Sequence, residues 1–141
     1  APVDLHTIAQ ECIETLTPSA EKRGISLQLE GDSTVVHGEK NSLWELVYNL
    51  TDNAIRYNRV NGTVTITLKD HSIAVSDTGI GIPPEHQERI FERVDKSHSR
   101  ATGGTGLGLS IVKHVAERHN AKISLESTVG VGTTITVTFP E

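Results

Sequence analysis

A chain of 141 residues with a formal net charge of −5 is long enough for one domain with its own core. Its acidic balance argues against general nucleic-acid binding, which favours a basic face. A single cysteine, Cys12, excludes an internal disulfide and a Cys-rich zinc site, and points to a reducing, cytoplasmic setting.

The apolar fraction is 35%, with one Trp, two Tyr and two Phe, so the core is expected to be mostly Leu, Ile and Val. The chain shows no signal-peptide pattern and no run near the ~18 apolar residues of a membrane span. No direct membrane contact is expected from it.

In chain order, Asp4 is placed to cap a helix running to about Arg23, with Leu5, Ile8, Ala9, Cys12, Ile13 and Leu16 at helical spacing. Pro18 predicts a kink or a break in its second half. After Gly24, the alternation of Ile25, Leu27 and Leu29 reads as a half-buried strand, and a second short strand is expected over Thr34–His37. Ser42-x-x-Glu45 reads as a capping box that opens a helix to about Tyr57, with Leu43, Leu46, Val47, Leu50 and Ala54 as its apolar stripe.

Asn61-Gly62 is a turn, followed by Val64, Ile66 and Leu68 alternating with Thr65, Thr67 and Lys69. Asp70-His71 turns the chain back into Ile73, Val75 and Asp77, a hairpin. A short helix is expected near Glu85–Glu92, a longer one over Leu107–His119, and closing strands over Ile123–Ser127 and Thr133–Phe139. Each strand has one aliphatic parity and one of Thr, Ser or charged residues. A sheet of that kind needs cover on one face only. The expected fold is therefore an α+β, two-layer sandwich, with a mixed sheet of about five strands under three helices and residues 1–141 as one domain.

Three segments carry candidate chemistry. Spacings of four and three place Asn49, Asn53 and Arg56 on one stripe beside the aliphatic one, where two amides and a cation could hold a metal-bound polyphosphate. A solvated helix face explains the same pattern equally well. Asp77-Thr-Gly79-Ile-Gly81-Ile82-Pro83 puts a carboxylate at a strand end on the helix side, where it needs a donor. An adenine amino group is one such donor, and a capping Asp in a Gly turn is the plainer alternative. Gly103-Gly104-Thr105-Gly106-Leu107-Gly108-Leu109-Ser110 leads straight into a helix, so several amides and the helix dipole can face one anion. A flexible linker would explain these glycines but not the abrupt helix. Neither a Walker loop nor a dinucleotide fingerprint fits their spacing.

Together, and in this order, the three segments resemble the N, G1 and G2 boxes of sensor histidine kinases, whose ATP-binding domain belongs to the GHKL class. The resemblance covers nearly the whole chain. It implies ATP and Mg²⁺ as ligands, with Asn49 coordinating Mg²⁺, Asn53 supporting metal and phosphates, and Arg56 meeting a phosphate. Tyr57 would stack near the adenine, Asp77 would accept from its amino group, and Gly79, Gly81 and Ile82 would line the base pocket. Thr105, Gly106, Leu107, Gly108 and Leu109 would supply lid and phosphate contacts.

The implied reaction moves the γ-phosphoryl group to a histidine on a separate dimerisation domain of the parent kinase, a membrane-anchored protein with a cognate response regulator. The hydrolysing members of the class place a Glu where Asn49 stands, and an amide cannot act as a general base near neutral pH. The acceptor is expected to lie elsewhere: the seven histidines here are followed by Thr, Gly, Ser, Gln, Ser, Val and Asn, never by Glu or Asp. As an isolated chain it is expected to be monomeric, to bind ATP and not to label itself.

One departure concerns Ile90-Phe91-Glu92-Arg93-Val94-Asp95, three residues shorter than the family pattern. It implies either a shortened lid or residues left out of the sequence, and Arg93 can align with either of two family arginines. A non-enzymatic nucleotide-sensing module and an anti-sigma-factor serine kinase are the competing functions.

Overall fold

The computed structural model describes residues 2–79, 81 and 106–140. The chain opens with β1 (Pro2–Asp4) and α1 (Leu5–Lys22), followed by β2 (Ser26–Glu30), β3 (Val35–His37) and α2 (Lys40–Arg56). Next come β4 (Thr63–Lys69), β5 (Ser72–Asp77), α3 (Gly106–Arg118), β6 (Lys122–Thr128) and β7 (Gly132–Thr138). Five strands form a sheet in the order β2-β4-β5-β7-β6. Its β2–β4 pair is parallel and the other three are antiparallel, so the sheet is mixed.

Strand parity decides which face is covered. Val64, Ile66, Leu68, Ile73, Val75, Ile135 and Val137 are buried, while the Thr and Ser residues between them stay partly open. Above the buried parity lie α1, α2 and α3, with α2 in the middle and packed against both neighbours. The expected α+β sandwich is what forms. Its core is one cluster that includes Leu5, Ile8, Leu43, Leu46, Leu50 and Val112. On the other face, hydroxyl pairs such as Ser76 with Thr134 (2.7 Å) bridge adjacent strands.

The structure corrects several sequence expectations. α1 runs unbroken through Pro18. Both Pro18 and Glu14 are exposed, so the carbonyl that Pro18 cannot serve lies on the solvent side, while buried Leu16 and Ala20 hold the last turns to the core. Asp4 does cap this helix, accepting from the His6 amide at 2.9 Å. α2 begins two residues before the proposed capping box. Its N-cap is Glu39, which makes no side-chain cap bond, and Ser42 lies inside the first turn. A different group serves the Glu39 amide, which donates to His119 Nε2 at 3.2 Å.

One strand was not anticipated. β1 pairs antiparallel with β3, Val3 opposite Val36, in a separate two-stranded sheet. The expected short helix near Glu85–Glu92 lies outside the described residues.

Candidate functional site

The candidate residues come from three places, and helix packing brings them to one end. His119, just past α3, holds the start of α2, and the two helices pack along each other. They therefore run antiparallel, and Gly106 at the start of α3 lies towards the Asn53–Tyr57 end of α2. β5 ends at the same place: a Cβ on Gly79 would overlap the Tyr57 carbonyl oxygen, and Asn58 Cα would lie 3.0 Å from it. The concave surface lined by Pro2, Val3, Thr7, Gly38 and Lys40 is at the other end of α2 and gathers none of these residues.

The side chains on α2 differ in what they bond. Asn49 turns its amide nitrogen back onto the Glu45 carbonyl at 2.7 Å, and its Oδ1 accepts no hydrogen bond among the described residues. Asn53 presents the opposite case. Its Oδ1 is buried and has no hydrogen-bond partner among the described residues. Arg56 is exposed and pairs with Asp52 one turn back, Nε to Oδ2 at 3.0 Å. Tyr57 is the half-buried C-cap residue, its amide donating to the Asn53 carbonyl at 3.2 Å.

Asp77 closes β5 with its carboxylate half-buried. Oδ1 accepts the Gly79 amide at 2.8 Å and the Thr133 amide at 3.3 Å, so the Asp does form the local turn contact that was the plainer reading. Oδ2 takes no hydrogen bond among the described residues. Burial pushes the Asp77 pKa up from 3.8, and the two amide bonds oppose that rise. A group that can donate a hydrogen bond to Oδ2 would therefore meet a desolvated acceptor.

The glycines of this turn have a packing role that sequence reasoning missed. Gly79 is pressed against the end of α2. Gly81, at φ +77°, sits where a Cβ would overlap the Thr128 carbonyl oxygen. Both approach protein backbone, which only glycine permits here. Of the third segment, Gly106, Leu107, Gly108 and Leu109 begin α3 and Leu109 is buried at 5% exposure. Any ligand contact by Leu109 must use its main chain. Ile82, Thr105 and the Ile90–Asp95 lid segment lie outside the described residues.

Three further residues were not singled out from the sequence. Arg23 reaches from the end of α1 to the Arg56 and Asn58 carbonyls at 2.9 and 2.7 Å, a cation at the C-terminus of α2. Asn58, 4% exposed, donates to the Thr63 carbonyl at 2.9 Å and accepts from the Arg59 amide at 2.8 Å. The Thr78 hydroxyl donates to Asn58 Oδ1 at 3.1 Å. An Asn just after a helix suggests a backbone cap, and nothing in the local pattern signals a partner twenty residues away.

A profile of the family described as "Histidine kinase-, DNA gyrase B-, and HSP90-like ATPase" matches residues 38–141. The chain belongs to that family. Among its relatives, the sensor-like histidine kinase SenX3 of Mycolicibacterium smegmatis is 43% identical over 147 residues, covering 99% of this chain and 38% of its own length. Histidine protein kinase SaeS of Staphylococcus aureus is 37% identical over 152 residues, covering 98% of this chain and 43% of its own. Both alignments are longer than this chain, so the relatives carry residues with no counterpart here.

Among solved structures, the mycobacterial sensor histidine kinase MprB superposes with a TM-score of 0.87 at 27% identity, covering 99% of this chain and 96% of that one. The chain is thus a GHKL ATPase domain of the sensor histidine kinase type, and it spans about two fifths of the length of the curated relatives it matches. No helix among the described residues is long and apolar enough to cross a membrane.

Proposed function

We propose that this domain binds Mg-ATP between the C-terminal half of α2, the turn after Asp77 and the start of α3, and transfers the γ-phosphoryl group to a histidine on a separate dimerisation domain. The observation that carries this reading is the buried, unpartnered Oδ1 of Asn53. Leaving such an acceptor unmet costs about 1–3 kcal/mol, and a hard, oxygen-seeking cation would satisfy it. Asn49, one turn earlier, keeps Oδ1 for the same purpose because its nitrogen is engaged with Glu45. Asn49 and Asn53 would be the residues that hold Mg²⁺, which when bound would supply charge neutralisation for the phosphates.

The remaining roles follow from donor and acceptor chemistry. Asp77 Oδ2 accepts from the adenine amino group, and Tyr57 lies beside the ring with Gly79, Gly81 and Ile82. Arg56 releases Asp52 to meet a phosphate, a small loss for an exposed pair. Thr105, Gly106, Leu107, Gly108 and Leu109 offer main-chain amides and one hydroxyl to the phosphates at the start of α3. Asn49 cannot deprotonate water, so hydrolysis is slow, and the imidazole nitrogen of the partner domain is the nucleophile that displaces ADP. A cognate response regulator then takes the phosphoryl group from that histidine.

Calorimetry with a non-hydrolysable ATP analogue, with and without Mg²⁺, tests the binding step, and labelling of an added histidine-bearing hairpin with radiolabelled ATP tests transfer. Mg²⁺-dependent binding and labelling of the hairpin alone are expected. No binding up to millimolar analogue overturns the whole reading. Binding without labelling would instead make the domain a nucleotide-sensing module.

A further inference from the structure

β4 and β5 pair antiparallel with Val64 opposite Asp77, so the next rung would join Thr63 and Thr78. Half of that rung is ordinary backbone, the Thr78 amide donating to the Thr63 carbonyl at 3.2 Å. The other half is not. The Thr63 amide donates to the Thr78 hydroxyl at 2.9 Å instead of a carbonyl. A side chain has taken the acceptor's place, which frees the main chain beyond Thr78 to leave the strand at Gly79.

The hydroxyl can accept there only if its own proton points elsewhere. It points to Asn58 Oδ1 at 3.1 Å. Asn58 is itself locked by the Thr63 carbonyl and the Arg59 amide, and Arg23 holds its carbonyl from α1. The fit is close, since a Cβ on Gly62 would overlap Asn58 Oδ1 and come within 2.8 Å of Thr78 Oγ1. Asp77 is therefore clamped from two sides: β7 holds its Oδ1 through the Thr133 amide, and the end of α2 holds the next residue through Asn58 and Thr78.

We infer that Thr78 and Asn58 are positioning residues for nucleotide selection: together they set the direction in which Asp77 Oδ2 meets the base. The inference rests on the proposed ATP site. Neither residue touches the nucleotide. Their effect passes through the Asp77–Gly79 backbone, and its signature is the preference for adenine over guanine rather than overall affinity. Guanine presents a carbonyl oxygen where adenine presents its amino group, so a correctly aimed carboxylate attracts one and repels the other.

The test compares Mg-ATP with Mg-GTP binding to the wild-type domain, Thr78→Val and Thr78→Ser, by competition against a fluorescent ATP analogue. Thr78 is exposed and Val is nearly isosteric, so the fold is retained, and a thermal melt checks this. The Val variant is expected to lose roughly five- to tenfold in the ATP:GTP ratio, the scale of one hydrogen bond. Ser, which keeps the hydroxyl, should restore it. Equal ratios in all three proteins, with wild type binding ATP, overturn this inference alone. A Val variant whose ATP and GTP affinities fall by the same factor does so too, because it shows a structural role only. A wild type that binds neither nucleotide overturns the ATP site as well.

Discussion

Two asparagines five residues apart at the end of α2 are treated in opposite ways by the fold. Asn58 sits in a junction where every polar atom of its side chain has a protein partner, drawn from β4, the following loop and the residue after β5. Asn53, one turn and a half earlier, keeps a buried oxygen with none among the described residues. Burial is similar in kind, but the consequence is not. Satisfied groups hold a shape, whereas an unsatisfied acceptor is a standing demand for a cation or a donor. The junction holds a shape, and the Asn53 face is where the proposed site would take its ligand.

That contrast breaks most visibly if Asn53 is removed. Asn53→Ala should lower Mg²⁺-dependent nucleotide affinity by roughly 100-fold, while urea denaturation shows stability unchanged or raised, since an unmet acceptor has gone. A loss of stability without a loss of affinity would reverse the two roles. Asn58→Ala should do the opposite, losing about 2–3 kcal/mol in urea because the Thr63 carbonyl and the Arg59 amide lose their partner. Its residual nucleotide binding should keep the wild-type dependence on Mg²⁺.

A smaller effect sharpens the boundary between the regions, where Asp77 belongs to both. Asp77→Asn keeps an oxygen for the Gly79 and Thr133 amides but adds a donor where an acceptor is required, so ATP affinity should fall by about tenfold. Burial raises the Asp77 pKa, so the folded chain binds that proton more tightly than the unfolded chain. Stability therefore falls as pH rises from 3.8 through the raised value, and Asp77→Asn should remove that part of the slope in thermal melts at stepped pH. The smallest change is expected at Arg56. Its pair with Asp52 is exposed, so Arg56→Ala should move stability by no more than about 0.5 kcal/mol. Any large effect of that variant would have to appear in nucleotide binding.

Much of this was legible beforehand because period and face go together. Val64, Ile66, Leu68, Ile73 and Val75 alternate in sequence and are buried in the fold, and Leu43, Leu46, Leu50 and Ala54 recur at helical spacing on the buried side of α2. The stripe of Asn49 and Asn53 was readable for the same reason. Arg56 fits the same stripe and also pairs with Asp52 one turn back, an alternative that spacing cannot weigh. Pro18 signalled a break that tertiary packing overrode, and Ser42 signalled a cap that α2 did not use.

Sequence alone thus determined the layers and the strand faces, because these depend on side-chain periodicity within single elements. Only the tertiary structure decided that β2 runs parallel to β4, that β1 finds β3, and that Asn58 meets Thr78. It also decided that Asn53 is left with an unmet oxygen while Asn58 is not. Those outcomes rest on contacts between residues far apart in the chain, and a hydrogen bond has no partner until the fold supplies one.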